Sequence, residues 1–460
     1  MHNIFDMGYL KLSLIAAALT VAAISVHSQD AREARYREDA YVEIMANPMK
    51  AGGGYYVRKF GDGPLTPAPK GYKPVYISYY ARHGARYASG SDPYETVNAI
   101  LEKAHSEGQL TALGEEFRSY FTGVFEDASG KDGDLSGLGF KHVRGIARTM
   151  YRRFPGVFKG KTRARALATC VPRVMLTMNS FMDELKSCDP DLDVDMNASE
   201  KYVDWLIPYD GNRRQIIRKS GRTPEADAAQ EAFYEKVDRD APMARLFKDV
   251  SWLDGQEISR RNVENGLWKV CAAAQCLEDK VGMAYFTTIW PPEEYFAKWE
   301  ADNIGFYYYW GHSPVTEHRG TLGAVDIVQQ AIIDTDADLA AIDSPDRVNL
   351  RLKFSHDTGV APLLAFLKVN GMGAVIDDPS EIKNYFQDYK VAMGSNFQFV
   401  FYRSRRSPDI IFRLLYNGDE ASLPLPEVSE GFYRWADFKA YYGPLVEEGQ
   451  KRLKEIQESL

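Results

Sequence analysis

Residues 74–86 read PVYISYYARHGAR, an apolar and aromatic run that stops at an Arg-His-Gly-Ala-Arg sequence. A continuous apolar run of this length is typical of a strand that is buried on both faces of a parallel sheet. In an open α/β sheet, the ligand crevice lies outside the carboxyl ends of the strands. We therefore expect the loop of residues 82–86 to carry the chemistry of this chain.

The residue types in this loop suit a phosphate group. A neutral His83 imidazole could attack phosphorus in line, while Arg82 and Arg86 hold the non-bridging oxygens and neutralise charge. The planar arginine fork matches two phosphate oxygens and keeps its proton at any working pH. Gly84 would let the backbone approach closely where a side chain would obstruct. The alternative is a core or helix-capping histidine that is flanked by surface arginines.

A second group of polar residues, FSHDTG at residues 354–359, also follows a predicted strand and opens a predicted helix. A protonated His356 could donate to the phosphoryl group, and Asp357 could give a proton to the leaving oxygen. The alternative role for Asp357 is the N-cap of the following helix. Because both motifs fall at strand ends, we expect them to lie at the same edge of the sheet.

The order of predicted elements indicates an α/β fold with a central, mostly parallel sheet flanked by helices and an inserted helical cap. The predicted divisions are a signal peptide (1–28), an N-terminal lead-in (29–71), the α/β core (72–189 and 321–460) and the cap (190–320). Within the core, the pattern predicts helices at residues 135–158, 322–342, 359–369 and 435–456, a strand at 349–355, and a hairpin of residues 397–403 and 410–416.

Composition and charge limit the classes of protein to which this chain can belong. The 460 residues are 45% hydrophobic, which is enough for one large or two ordinary domains. A net charge of −8 argues against a nucleic-acid partner, so any anion site must be local. The apolar run of residues 12–26 behind Lys11, followed by Ser28, is typical of a secretory signal peptide and is shorter than a membrane span of about 20 residues. We expect a secreted or periplasmic product with no stable membrane anchor after cleavage.

The four cysteines match no zinc-binding spacing. Export permits disulfides, and four cysteines allow three pairings that the sequence does not rank. We expect buried or bridged thiols without chemistry, and a local bridge between the last two is one option. The cysteines are Cys170, Cys188, Cys271 and Cys276.

Taken together, the motifs resemble the histidine acid phosphatase branch of the histidine phosphatase superfamily. Within that branch the likeness is to multiple inositol polyphosphate phosphatases and related phytases. Residues 82–87 (RHGARY) resemble the branch signature, and residues 355–357 (SHD) resemble its downstream His-Asp pair. Weaker likenesses lie at residues 134–152, 168–181 and 396–402, and they leave the helical middle of the chain unmatched.

This resemblance implies a phosphomonoesterase that forms a phosphohistidine and needs neither a metal nor an organic cofactor. His83 would be the nucleophile and Asp357 the proton donor. The phosphate-binding residues would be Arg82, Arg86, Arg173 and His356. The inositol polyphosphate enzymes usually read His-Ala-Glu where this chain reads His-Asp, as phytases and general acid phosphatases do. The substrate subgroup therefore stays open.

A run of basic residues indicates what kind of substrate the chain would attract. Residues 141–173 contain ten Lys or Arg and no Asp or Glu. Such a run is ordinarily a solvated face, but a basic mouth would also attract a polyphosphorylated ring, so phytate or another inositol phosphate is the expected substrate. Further cations that could line this mouth are Arg58, Lys59, Arg213, Arg214, Arg218 and Lys219.

Three other functions remain open. The chain could be a broad acid phosphatase that acts on sugar or aryl phosphates. It could be an exported phosphoanion-binding protein without turnover, or it could have a role like that of a phosphoglycerate mutase. In each case the expected partner is a small phosphate compound, and the sequence does not indicate an oligomeric state.

Overall fold

The computed structural model describes residues 39–90, 92–207 and 223–459, in which helices surround one mixed sheet. The predicted signal peptide and the cations Arg213, Arg214, Arg218 and Lys219 lie outside these residues. The strands are β1 (Tyr72–Arg82), β2 (Arg163–Ala168), β3 (Asp193–Ala198), β4 (Leu350–Ser355), β5 (Asn396–Ser404), β6 (Ser407–Tyr416), β7 (Asp419–Ala421), β8 (Glu427–Ser429) and β9 (Phe432–Arg434). The helices are α1 (Ala40–Ala46), α2 (Pro93–Ser106), α3 (Ala112–Ala128), α4 (Gly137–Arg153), α5 (Pro172–Cys188), α6 (Pro224–Tyr234), α7 (Asp240–Leu246), α8 (Arg260–Ala273), α9 (Lys280–Ile289), α10 (Pro292–Trp310), α11 (Val325–Ala340), α12 (Asp357–Phe366), α13 (Ile382–Tyr385) and α14 (Trp435–Ser459).

The strands follow the order β3-β2-β4-β1-β5-β6-β9-β8, with β7 paired to β6. Strands β3, β2, β4 and β1 run parallel, whereas β5 pairs antiparallel with β1 and with β6. The predicted α/β fold with parallel core strands is therefore confirmed. Strands β5 and β6 are joined by a short hairpin turn, which requires that they run in opposite directions.

Strand β1 is central because both of its faces are apolar. Ile77, Tyr79 and Ala81 point into one hydrophobic cluster with α4 and α5. Tyr76 and Tyr80 point into a second cluster with α11, α12 and α14. Burial on both faces confirms the interpretation of the apolar run, and it fixes the carboxyl end of β1 between layers of helices.

The helical layer is built from two parts of the chain. Helices α2 and α3, which fall within the predicted core, pack in one hydrophobic cluster with α8, α9 and the start of α10. Strand β3 lies within the residues predicted as the cap, 190–320, and adds a parallel edge strand to β2. Strand β3 (DVDMNA) does alternate polar and apolar residues, but four of its six side chains are exposed and none is buried, as fits a strand at the edge of a sheet.

All four cysteines are free thiols in the structure, so the option of a local bridge is not realised. Cys271 and Cys276 are both buried, and the Cys276 thiol donates to the Tyr55 carbonyl at 3.2 Å. Across the three described ranges, no helix has the length and hydropathy that a membrane span requires.

Candidate active site

The register of the sheet brings the two histidine motifs together. Arg82, the last residue of β1, pairs with Ser355, the last residue of the parallel strand β4. The His83 amide continues the ladder by donating to the Ser355 carbonyl at 2.9 Å. His356 then follows β4 directly, and the ring centroids of His83 and His356 lie 5.6 Å apart. The two motifs share one pocket because parallel strands end at the same edge.

The contacts of His83 define its tautomer. Its Nδ1 atom lies 2.9 Å from the Gly84 carbonyl oxygen, and a carbonyl can only accept, so Nδ1 carries the hydrogen. The lone pair of the neutral ring is therefore on Nε2. Burial, followed by the charges of Arg82 and Arg86, lowers the pKa of His83 well below its ordinary value. The ring is therefore neutral at neutral pH, with a free Nε2 lone pair.

His356 is also neutral. Its Nε2 atom lies 3.0 Å from the Thr169 hydroxyl. Burial and the nearby Arg173 lower the pKa of His356 to about 3. The protonated form that was expected from the sequence would therefore need the negative charge of a bound phosphate to stabilise it.

Three arginines surround the two rings, and we call Arg82, Arg86 and Arg173 the arginine cluster. Each has a buried Nε–H group without a hydrogen-bond partner. Burial and the neighbouring Arg86 lower the pKa of Arg173 to about 10. Buried guanidinium donors that lack acceptors are costly, and an oxyanion in their midst would satisfy them.

Arg82 is the most enclosed member of the arginine cluster, with 1% of its surface exposed. Its Nη1 donates to the Val391 carbonyl at 2.7 Å, and its Nη2 pairs with Asp357 Oδ2 at 2.9 Å. Arg86 packs over the Tyr55 ring, with its Cζ 5.1 Å from the ring centroid. These contacts hold two guanidinium planes in place before any ligand arrives.

Asp357 lies at the rim of the pocket, and 27% of its side chain is exposed. It is the first residue of α12 and not its N-cap, which is His356; its Oδ1 accepts the Thr358 amide at 2.8 Å. Burial alone would raise the pKa of Asp357, but Arg82 and Arg86 hold it below its ordinary value. The side chain is therefore a carboxylate at neutral pH.

Gly84 is required by the close approach of α4. A Cβ atom at this position would lie 2.9 Å from the Gly139 carbonyl oxygen and 3.0 Å from Val143 Cγ2. The Gly84 amide donates to the Thr177 hydroxyl of α5 at 3.1 Å. Two helices therefore fix the backbone next to His83.

The structure corrects the expectation of a basic mouth. Five cations of residues 141–173 form ion pairs with carboxylates from other elements, and Arg153 donates to the carbonyls of Gly63 and Gly418. Arg58, another expected member, pairs with Asp419. Of the run, only Arg173 belongs to the arginine cluster. The pairs are Lys141–Glu278, Arg144–Asp183, Arg148–Glu184, Arg163–Asp193 and Arg165–Asp195.

Sequence reasoning missed the contacts that support the site. Tyr55 and the Val391 carbonyl lie in segments that were given no role, and no local pattern marks them. Thr177 lies within residues 168–181, which resemble the family, but no pattern marks its contact with the Gly84 amide. Thr169 lies in a stretch that resembles the family, but its contact with His356 could not be inferred from that likeness. Such support comes from packing between elements and has no sequence signature of its own.

One group of carboxylates could in principle hold a cation. Among the described residues, oxygens of Asp92, Glu95 and Asp132 lie within 4.8 Å of one another. Acidic side chains often cluster in this way without binding an ion, and we assign no metal to them.

A sheet that ends in two imidazoles and an arginine cluster defines an oxyanion-binding α/β protein, and the family comparison agrees. The model of the histidine phosphatase superfamily (branch 2) matches residues 80–417. The chain belongs to this family, and it is a hydrolase of the histidine acid phosphatase class. A comparison with curated proteins finds no significant match.

Solved structures share the fold. Multiple inositol polyphosphate phosphatase from Bifidobacterium longum, in complex with phosphate, is 16% identical with a TM-score of 0.70, covering 85% of this chain and 97% of that one. Its complex with inositol hexasulfate gives a TM-score of 0.69. A phytase from D. castellii is 15% identical with a TM-score of 0.60, covering 87% of this chain and 84% of that one. At these identities the likeness concerns the fold.

Proposed function

We propose that this chain hydrolyses phosphate monoesters through a phosphohistidine on His83. The Nε2 lone pair of His83 attacks phosphorus and the bond to the ester oxygen breaks. The Asp357 carboxylate takes up the proton that the bound monoanion carries and passes it to the leaving alcohol. Arg82, Arg86, Arg173 and His356 hold the non-bridging oxygens. Water then attacks the phosphohistidine, Asp357 takes up its proton, and His83 regains its lone pair as phosphate leaves. The supporting observation is the neutral, oriented His83 ring among buried arginine donors without partners.

Trapping the intermediate tests this proposal. Brief mixing with a labelled ester and an alkaline quench, which preserves phosphohistidine, should give label on the wild type. The His83→Ala variant should give none, and its kcat should fall by about 10³-fold or more. His105→Ala, which removes an exposed histidine paired with Glu115, is the control. Unlabelled wild-type protein that still binds phosphate would instead indicate an anion-binding protein without turnover.

For the substrate, we propose inositol polyphosphates. The protein whose fold is similar at a TM-score of 0.69 was solved with inositol hexasulfate. The second candidate is a broad activity on sugar or aryl phosphates. It is favoured by the ion pairs of residues 141–173, because paired cations leave less positive charge for a polyanion. Comparing kcat/KM for phytate and for 4-nitrophenyl phosphate separates them. An equal or higher value for the aryl ester would reject the inositol proposal.

We also propose that the chain is exported and that residues 1–28 are removed as a signal peptide. The support is the apolar run of residues 12–26 behind Lys11. Amino-terminal sequencing of the protein recovered outside the cytoplasm tests this, and a chain that retains Met1 and stays in the cytoplasm would contradict it.

A further inference from the structure

Three consecutive glycines, residues 52–54, lie in the 3₁₀ segment Pro48–Tyr55. The structure gives a reason for the first two. A Cβ at Gly52 would lie 3.0 Å from the side-chain amide nitrogen of Gln275. Gly53 has a φ of +54°, in the left-handed region that favours glycine. Packing and backbone conformation therefore explain two of the three glycines.

Gly54 has neither of these reasons to be a glycine. Its φ is not in the left-handed region, and only Gly53 departs from helical φ and ψ within the segment. A Cβ at Gly54 would lie 3.6 Å from Arg82 Nη2, 3.9 Å from Arg82 Nη1 and 3.9 Å from Asp357 Oδ2. These are ordinary van der Waals distances, and the three nearest atoms all belong to the Arg82–Asp357 ion pair. A side chain at this position would therefore fit the fold and lie over that pair.

The backbone on both sides of Gly54 is held in place. Before it, Gly53 lies against the Asp388 carboxylate, where no Cβ would fit. After it, the Tyr55 carbonyl accepts from the Cys276 thiol at 3.2 Å. The segment therefore has little freedom to withdraw from a bulky group that lies between it and the ion pair.

The space beside Gly54 is where the leaving group lies in the proposed mechanism. The ester oxygen meets Asp357 there, so the first carbon atoms of the leaving alcohol occupy the space over the Arg82–Asp357 pair. Gly54 and Asp357 are both partly exposed, so this space opens to solvent. A primary alcohol has one carbon substituent at the carbon that bears the oxygen, whereas a secondary alcohol has two and needs more of this space.

We propose that Gly54 determines which leaving groups the site accepts, because its missing side chain keeps the space over Arg82 and Asp357 open for the branched carbon of a secondary alcohol. The inference rests on the proposed function, since it uses the contact between Asp357 and the leaving oxygen. Gly54 takes no part in the bond changes. Its effect is on the relative rates of esters that differ in shape next to the reacting oxygen.

Two isomeric esters test this role. Glycerol 2-phosphate is the ester of a secondary alcohol, and glycerol 1-phosphate has the same atoms and charge on a primary alcohol. The readout is kcat/KM for the 2-phosphate divided by kcat/KM for the 1-phosphate. We expect this ratio to fall about tenfold in Gly54→Val, whose branched side chain is stiff, and by less in Gly54→Ala. Inorganic phosphate has no leaving group, so its inhibition constant should stay the same.

The control is Gly63→Val, which adds the same side chain at an exposed glycine whose Cβ would meet no atom within 4 Å. A ratio that is unchanged in both Gly54 variants, or that falls equally in Gly63→Val, overturns the role of Gly54. If Gly54→Val also weakens inhibition by phosphate, its pocket is distorted and the ratio in Gly54→Ala decides.

Failure of the proposed function gives a different result. A wild type that hydrolyses neither ester contradicts that function. Titration calorimetry of both esters with the wild type and with Gly54→Ala then measures the same preference as a ratio of affinities. A lower affinity ratio in the variant supports the role of Gly54, and an unchanged ratio overturns it.

Discussion

His83 and His356 lie with their ring centroids 5.6 Å apart and their planes at 76°, so one edge faces the other ring. Both rings are neutral for the same reason, since each is buried among guanidinium groups that oppose a further positive charge. A neutral imidazole pair in a positively charged pocket accepts an anion without first losing protons. In the mechanism that we propose, His83 therefore needs to lose no proton before it attacks phosphorus at neutral pH.

The pH dependence should follow the proton that the leaving group needs. Arg82 and Arg86 lower the pKa of Asp357, which is therefore a carboxylate, so that proton must arrive with the substrate monoanion. Phosphate monoesters lose their second proton at about pH 6. We expect kcat/KM to fall as the pH rises above about 6, with no loss from His83 on the acidic side until well below pH 6.5. A pH profile measured with a simple alkyl phosphate checks this, and a rate that rises between pH 6 and 8 would contradict it.

Replacing Asp357 with Asn should separate good from poor leaving groups. Asparagine fills the same space but cannot donate a proton to the ester oxygen, and general acid catalysis contributes about 10² to 10⁴-fold. We expect kcat to fall about 10²-fold for an alkyl phosphate but about tenfold or less for 4-nitrophenyl phosphate. Steady-state kinetics on both esters gives the comparison. Equal losses on the two would mean that Asp357 only positions Arg82.

Arg173 can be distinguished from its basic neighbours. Arg173 belongs to the arginine cluster, whereas Arg165 pairs with Asp195 at the sheet edge. Removing a donor aimed at the transition-state charge costs about 10² to 10³-fold. We expect Arg173→Met to lower kcat/KM by about 10²-fold and Arg165→Met to change it less than twofold. Measuring kcat/KM of both variants at one pH is sufficient. If Arg165→Met lowers kcat/KM more than Arg173→Met does, Arg165 is the phosphate-binding residue.

Gly84 should tolerate no side chain. Alanine there would place its Cβ 2.9 Å from the Gly139 carbonyl, so α4 must shift, at a cost of about 1 to 3 kcal/mol. The shift also moves His83, so activity should fall with stability. Gly145→Ala in the same helix is the matched control, because its Cβ meets nothing within 4 Å and alanine favours a helix by about 1 kcal/mol. Urea unfolding of both variants measures the difference, and a stable, fully active Gly84→Ala would refute the packing argument.

Asp388 should make stability depend on pH. It accepts from the Trp299 indole at 2.8 Å, and burial, with a smaller contribution from Asp302, raises the pKa of Asp388 to about 7. Between the ordinary aspartate pKa and this value, the folded state holds a proton that the unfolded state lacks, so wild-type stability falls as the pH rises. Asp388→Asn removes this dependence and keeps the acceptor for Trp299. The measurement is the free energy of unfolding in urea for both proteins. We expect the difference in favour of the variant to grow as the pH rises from 5 to 8. A difference that does not change with pH would show that Asp388 does not titrate in this range.

The sequence by itself determined the strands that carry the chemistry and the residues at their ends. An apolar run that is buried on both faces has few alternatives to a central strand, and polar residues that follow such strands must lie at one edge of the sheet. That is why His83, His356 and Asp357 could be placed together from their positions alone. The fold class followed from the same local patterns.

Only the tertiary structure decided which charges are available to a substrate. The cations of residues 141–173 look unopposed along the chain, yet Glu184 and Glu278 reach two of them from other elements. One cavity likewise brings together Lys50 and Lys390, which are distant in sequence. A side chain's charge is local information, but its ion-pair partner is set by packing between helices and strands, which no short stretch of sequence encodes.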